Sequence, residues 1–590
     1  MTILNFVGIT LLDNSSTRGL IRGRSNELLS TEKDGDSFKR VAHLLLPAFG
    51  RYAVLPMMLD VEFTQNSLLL AFLIGLASIL FYWYSTRNLD YWKKRNVPFA
   101  KPLPFVGTLL ESFWNPFHEI ELKRYLELGH VYGHFEGTRP VLSVAEPELL
   151  KNIFIKDFQS FPNRRLLVSG DEVVDKMVSV VNGEDWKRIR TIITPTFSTG
   201  KIKRMMSIFK ECSQTAVRNY KKETQNGAPA ETKRIYGAFT MDVIASSAFS
   251  TKLDSHNDPE NKFVMMARKV FRQEFSWRFG LYFLFPTIAK LLKVAIFSPT
   301  ATNFFRDATL QIIEQRRSTG QKRNDFLQLL LDTAAEVSED PKSELNEKES
   351  EDSSVYGEVS TEHQVFKGVT KKNMSLNELV AQCVIFFLAG YETTASTLAF
   401  STYLLALHPD VQEKLYEELV DTVSKTNGEL TYEGLQSMKY LDNIISETLR
   451  LYPPATRTER LCVEDYELGN TGITVPKGMI VTVPVYAVHR DPEIYPDPEA
   501  FNPDRFSAEE KAIRDPYTYM PFGVGPRNCV GMRFALTEVK VCLTYIVANF
   551  KISKCAKTKV PLEFLGTQGL LAPKDIFVAL EPRKDNPLVK

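Results

Sequence analysis

Apolar residues follow two unlike patterns along this chain. From Phe63 to Thr86 no residue carries a charge, and the centre, Ser67 to Tyr84, reads SLLLAFLIGLASILFYWY. Roughly 20 apolar residues cross a bilayer as a helix, so this run predicts a transmembrane anchor. Its aromatic end, Phe81 to Tyr84, suits a membrane interface. Most of the chain from about 110 to 460 has helical periodicity, and strand-like alternation concentrates between Ile473 and Tyr486. The expected fold class is therefore mainly α with a small β region, plus an N-terminal transmembrane helix.

One predicted helix is unusual in length and polarity. Ser375-Leu-Asn-Glu378 has the spacing of a capping box, in which serine and glutamate satisfy each other's free backbone donors. The helix should run from there to about His408, where Pro409 follows. It is apolar nearly all round (Val380, Val384, Ile385, Phe386, Phe387, Leu388), as suits a helix through a core. At its middle Ala389-Gly-Tyr-Glu392-Thr393-Thr394 interrupts the apolar wall. Small residues there admit a flat ligand, the threonine can bond back to a carbonyl and open the helix, and an acid beside an alcohol can relay protons. A kinked helix with satisfied polar groups explains the hexapeptide alone equally well.

Breaks in the pattern divide the chain. Residues 1–62 form an N-terminal extension: Arg18, Arg22 and Arg24 with several serines point to a transit peptide, whereas Glu27, Glu32, Asp34 and Asp36 count against one. Met57 and Met58 offer an alternative start. The anchor occupies 63–86. Residues 87–107 are basic and proline-rich, with Pro98, Pro102 and Pro104 fixing φ, and are expected to form a stiff hinge. The catalytic domain should then fill 108–590, interrupted at 336–372 by an acidic insertion expected to be mobile.

Composition constrains partners more than chemistry. The 590 residues, 44% of them hydrophobic, suffice for a large core, and 72 Lys plus Arg against 71 Asp plus Glu give no global attraction to nucleic acid. Local charge does orient the anchor: Asp60 and Glu62 precede it, while Arg87, Lys93, Lys94 and Arg95 follow, which by the positive-inside rule places the rest of the chain in the cytosol. Six cysteines without a close pair make neither a disulfide framework nor a zinc site. A single thiolate remains open to them.

Two further stretches carry chemistry. Glu447 and Arg450 share a helix face, ahead of Leu451-Tyr-Pro-Pro454, and Arg505 offers the carboxylate a second cation. Phe522-Gly-Val-Gly-Pro-Arg-Asn-Cys529-Val-Gly531 then supplies glycines for a tight loop, a cation at Arg527, and a cysteine at the entry to a helix, where free N–H groups favour a thiolate. Such a thiolate is an axial iron ligand that promotes O–O cleavage.

From about residue 90 to 585 the sequence resembles the cytochrome P450 family. The pattern FxxGxRxCxG is met by Phe522, Gly525, Arg527, Cys529 and Gly531, AGxET by Ala389, Gly390, Glu392 and Thr393, ExxR by Glu447 and Arg450, and WxxxR by Trp186 and Arg190. The wording is closest to the drug- and steroid-oxidising subfamily and its invertebrate relatives. The resemblance implies the cytochrome P450 fold, haem b on Cys529, proton delivery by Thr393 and Glu392, and propionates held by Trp186, Arg190, Arg460 and Arg527. It implies the reaction RH + O2 + NADPH + H+ giving ROH, H2O and NADP+ on lipophilic small molecules, in the endoplasmic reticulum membrane. No G-x-G-x-x-G stands between a plausible strand and helix, so electrons are expected from NADPH-cytochrome P450 reductase, with cytochrome b5 as a further partner. Lys187 and Arg188 are candidates for a basic docking face. Phe271, Phe275, Trp277, Phe279, Tyr282, Phe283 and Phe285 either roof the substrate pocket or form ordinary core. A haem-thiolate isomerase and a non-enzymatic haem protein stand as alternatives to the monooxygenase.

Overall fold

The computed structural model describes residues 65–590 except 166–169, 259, 272–276, 295–296, 324, 336–364, 367–372, 566–569 and 589–590. The expected extension at 1–62 and nearly all of the acidic insertion lie outside the described residues. The helices that matter for the site are α1 (Gln65–Thr86), α2 (Phe117–Leu128), α3 (Gly183–Ile193), α4 (Thr199–Glu223), α5 (Thr232–Phe249), α6 (Pro299–Thr319), α7 (Leu376–Leu407), α8 (Pro409–Ser424), α9 (Lys439–Leu451) and α10 (Met532–Asn549).

Helix α1 coincides with the long uncharged run, and from Ser67 to Thr86 it is long and apolar enough to cross a membrane. The chain divides into two units, 1–77 and 78–590, with the boundary inside this helix.

The larger unit is built around α7. Ser375 Oγ accepts from Glu378 N, and the Glu378 carboxylate accepts from Ser375 N at 2.8 Å, so the capping box forms as its spacing predicts. The helix ends at Leu407, and Pro409 opens α8. Helices α5, α6, α9 and α10 pack against α7. A helix surrounded on every side has no polar face to spare, which is why its sequence lacks one.

Among the described residues nine short strands make up the β region: β1 (Val131–Glu136), β2 (Arg139–Val144), β3 (Ala230–Glu231), β4 (Thr458–Leu461), β5 (Tyr466–Glu467), β6 (Thr474–Val475), β7 (Ile480–Val483), β8 (Phe550–Ser553) and β9 (Phe577–Pro582). Their sheets run β1-β2-β7-β4, β3-β9-β8 and β5-β6. The alternation expected from Ile473 to Tyr486 becomes β6 and β7, but Val485 and Tyr486 enter a helical turn after Pro484. In β4, Arg460 faces Val481 of β7 while Glu459 faces Thr482. Successive strand residues point to opposite faces, so Glu459 and Arg460 serve different surroundings.

The stretch expected as a hinge is stitched to β1. Trp92 Nε1 donates to the His134 carbonyl at 3.2 Å, Ala100 N to the Gly133 carbonyl at 3.0 Å, and Gly133 N to the Pro98 carbonyl at 2.8 Å. A Cβ on Gly133 would lie 2.4 Å from the Trp92 ring, so glycine is what lets the indole lie flat on the strand. Prolines stiffen this segment, and the backbone bonds around them fix it to the sheet.

Candidate functional site

Two segments that the sequence marks for chemistry are both open where their neighbours are buried. Ala389 is exposed midway along α7, between buried Leu388 and buried Tyr391, and Cys529 is exposed in the loop before α10. Cys212, Cys383, Cys462 and Cys542 are buried and Cys555 half-buried, so Cys529 alone among the six presents an open thiol.

The cysteine loop owes its path to glycine. Gly523 and Gly525 have φ of 70° and 74°, and a Cβ at Gly525 would stand 2.3 Å from the Phe154 carbonyl oxygen. Only glycine adopts this backbone so close to another chain segment. The loop closes when Cys529 N donates to the Phe522 carbonyl at 2.8 Å and Asn528 N to the Gly525 carbonyl at 2.9 Å. Gly531 then caps α10. Dense surroundings push the Cys529 thiol up, while the Gly531 N–H and the guanidiniums of Arg190 and Arg164 pull it down. The residue has an open face and yet sits deep among protein atoms.

Around this loop the structure gathers four arginines, Arg164, Arg190, Arg460 and Arg527. Arg527 Nη2 donates to the Val181 carbonyl at 2.9 Å, and its guanidinium carbon lies 4.3 Å from the centre of the Trp186 ring. Arg190 donates to the Asn528 carbonyl at 2.9 Å and to its Oδ1 at 2.6 Å. Arg460 donates to the Glu459 carbonyl at 2.8 Å and lies 4.6 Å over the Phe154 ring. Arg164, which the sequence reading did not single out, donates to the Arg527 carbonyl at 3.3 Å. Nε of Arg164, Arg460 and Arg527, and Nη1 of Arg527, are buried without a hydrogen-bond partner among the described residues. Burial and the neighbouring Arg164 and Arg190 lower the Arg527 guanidinium to about 9. Burial, Arg164 and Arg527 push Arg460 well below the usual arginine range.

The nearest acids do not relieve this crowding. Glu136 binds Arg165 at 2.6 Å and Arg457 at 3.0 Å, and Glu459 binds Arg165 at 2.7 Å. Arg165 and Arg457 are thus paired, whereas among the described residues no carboxylate pairs with Arg164, Arg460 or Arg527. Buried cations with unmet donors beside an open thiol fit a ligand that brings two carboxylates and a metal able to accept sulfur. A haem has that set of groups. Among the described residues no group of three or more His, Cys, Asp and Glu could hold a metal ion.

The acid and alcohol of α7 are each bonded elsewhere. Thr393 Oγ1 donates to the Ala389 carbonyl at 2.7 Å, as its position predicts, and the helix runs on unbroken rather than opening. Glu392 is buried and turned to α5, where Lys233 Nζ donates to its Oε1 at 2.6 Å and to Ser396 Oγ at 2.6 Å. Consecutive residues on a helix diverge by about 100°, so the two side chains leave α7 in different directions.

Glu447 and Arg450 pair as expected. Arg505 Nε approaches the Glu447 carboxylate at 3.4 Å, an ion-pair distance whose geometry makes no hydrogen bond. Lys187 and Arg188 do not offer free charge for docking: Lys187 pairs with Glu184 at 2.9 Å, and Arg188 with Asp185 at 2.9 Å and Glu378 at 2.6 Å. Of the aromatic segment, Tyr282 is buried and Phe285 half-buried; the side chains of Phe271, Phe275, Trp277, Phe279 and Phe283 lie outside the described ones.

The family model described as Cytochrome P450 matches residues 97–355 and 358–580. The chain is 38% identical over 518 residues to cytochrome P450 3A12 of Canis lupus familiaris, covering 87% of this chain and 96% of that one. It is 38% identical to cytochrome P450 3A11 of Mus musculus and 39% to cytochrome P450 3A2 of Rattus norvegicus, each over 518 residues with the same coverage.

Proposed function

The chain belongs to the cytochrome P450 family and is a haem-dependent monooxygenase, and on that premise we propose that Cys529 would hold the haem iron through its sulfur and the arginines around it would hold the propionates. The observation that carries this reading is the set of guanidiniums of Arg164, Arg460 and Arg527, each with a buried Nε that no described residue bonds and none paired with a described carboxylate, beside the one open thiol. Bound haem supplies the activation of O2, to which thiolate ligation contributes electron density.

The protein's own residues do the rest. Cys529 Sγ sits just before α10, where the Gly531 N–H and the positive helix end offset part of the burial that pushes its thiol up. Arg164, Arg190, Arg460 and Arg527 bind and orient the carboxylates, with Trp186 stacked against Arg527. Phe522 lends its carbonyl to the loop closure that places the sulfur. Ala389, small and exposed, leaves α7 low beside the site, while the missing Cβ of Gly390 makes room for Ile244 of α5, 3.0 Å from where it would stand. Thr393 holds a proton on Oγ1 at that level, and Glu392, paired with the part-exposed Lys233 on another side of α7, would have to leave that pair to resupply it.

Within this reading the substrates are lipophilic small molecules, and the electrons come from NADPH through the membrane-bound P450 reductase, with cytochrome b5 as a further partner. Helix α1 anchors the chain once in the endoplasmic reticulum membrane, and Arg87, Lys93, Lys94 and Arg95 keep residues 108–590 in the cytosol. Residues 87–107 link anchor and catalytic domain, and 336–372 is an insertion within it.

The decisive experiment is optical. Reduced protein under carbon monoxide should show the red-shifted Soret band of a thiolate-ligated haem, and Cys529→Ser should abolish it. An unshifted band in folded wild-type protein would overturn the ligand assignment. NADPH-dependent product formation with reductase present tests the electron source.

A further inference from the structure

Val365 and Phe366 are the only described residues between 336 and 372, and they stand as an apolar pair between His363-Gln364 and Lys367. An apolar pair in so polar a stretch gains by burial. It finds that burial on the site. Val365, 6% exposed, joins Phe158 and Trp186 in a small cluster closed by Val178, Val181 and Phe366. The Phe366 ring centre lies 5.6 Å from that of Trp186 at an interplanar angle of 44°, and Phe158 flanks the indole at 5.9 Å and 47°.

The same cluster contains both groups that fix Arg527. One is the Trp186 ring, 4.3 Å from the guanidinium carbon, and the other is Val181, whose carbonyl takes the Nη2 proton at 2.9 Å. The remaining Arg527 nitrogens, Nε and Nη1, have no hydrogen-bond partner among the described residues. Whatever steadies the indole and Val181 therefore steadies the guanidinium.

We infer that Val365 and Phe366 form a clip that positions Trp186 and Val181, and through them Arg527, so that this returning stretch of chain sets how firmly the haem carboxylates are held. The inference rests on the assignment of Trp186 and Arg527 proposed above. Phe366 is a positioning residue: its ring meets the indole, and the indole meets the arginine.

The test compares the holoenzyme with Phe366→Ala, Phe366→Tyr and Trp186→Ala. The rate of haem transfer to excess apomyoglobin and the midpoint potential of the iron are measured well below the unfolding temperature, with the carbon monoxide spectrum as a check on thiolate ligation. Loss of one aromatic contact should speed haem release roughly three- to tenfold in Phe366→Ala and shift the potential, with the Soret position unchanged. Phe366→Tyr keeps the ring and should behave as wild type. Wild-type release and potential in Phe366→Ala, with faster release in Trp186→Ala, would overturn the clip while leaving the propionate assignment standing. Silence in both alanine variants would remove Trp186 from the assignment and the clip with it. A tyrosine variant that releases haem as fast as the alanine variant would also overturn the clip. If Phe366→Ala does not accumulate as folded protein, Phe366→Leu, which keeps burial without the ring, takes its place.

Discussion

Arg450 meets Glu447 in two parallel hydrogen bonds, Nε to Oε2 at 2.7 Å and Nη2 to Oε1 at 2.8 Å, with both side chains fully buried. Its Nη atoms also reach the carbonyls of His489, Pro498 and Ala500, tying α9 to the chain that leads to the cysteine loop. Removing the cation strands a buried carboxylate and frees those carbonyls, a loss of about 3–5 kcal/mol. Arg450→Leu should therefore lower the urea midpoint sharply or prevent accumulation of folded protein. An unchanged midpoint would show that the pair is dispensable.

Gly525 predicts a backbone effect. Alanine there would combine a φ of 74° with a Cβ 2.3 Å from the Phe154 carbonyl oxygen, so the loop has to move. Gly525→Ala should cost more than about 1 kcal/mol of stability and reduce the fraction of protein showing the thiolate Soret band. Wild-type values of both in purified variant would contradict the close packing.

Thr393 is expected to act on coupling rather than on folding. Its hydroxyl bonds only within α7, to the Ala389 carbonyl, so Thr393→Ala should leave thermal stability nearly unchanged. Product formed per NADPH consumed should fall roughly tenfold or more, with the excess appearing as hydrogen peroxide. Unchanged coupling would remove Thr393 from the relay.

His489 predicts a pH dependence. Its ring is buried, Nε2 accepts from Met520 N at 3.0 Å, and burial with Arg450 and Arg490 nearby lowers it from 6.5 to about 3. The unfolded chain then binds a proton below pH 6.5 that the folded chain refuses until about pH 3, so stability falls as pH drops through that window. His118, His134 and His256, also lowered by burial, act in the same sense. His489→Gln keeps an acceptor for Met520 without the titration. Its unfolding free energy should depend less steeply on pH than wild type between pH 6.5 and 5, and identical slopes would exclude the histidine as a contributor.

Local rules made part of this protein legible before any folding was considered. The capping box at Ser375 and Glu378, the end of α7 before Pro409, the uncharged helix α1 and the salt link of Glu447 to Arg450 all involve groups within a few turns of one another, so spacing alone specifies them. The motif residues were visible for the same reason, since Phe522, Gly525, Arg527, Cys529 and Gly531 share one loop.

Pairings between distant segments were not legible. Adjacent Arg164 and Arg165 look equivalent in sequence, yet Arg165 is claimed by Glu136 and Glu459 while Arg164 turns to the cysteine loop. Glu392 reads as the neighbour of Thr393 and is in fact bonded to Lys233, far away in the chain. Lys187 and Arg188 read as free charge and are met by Glu184, Asp185 and Glu378. The sequence by itself determined which groups exist and, along each helix, strand or loop, which face they can take. Which carboxylate meets which cation, and so which arginines are left for a ligand, was decided only when burial brought remote segments together and made an unpaired charge costly.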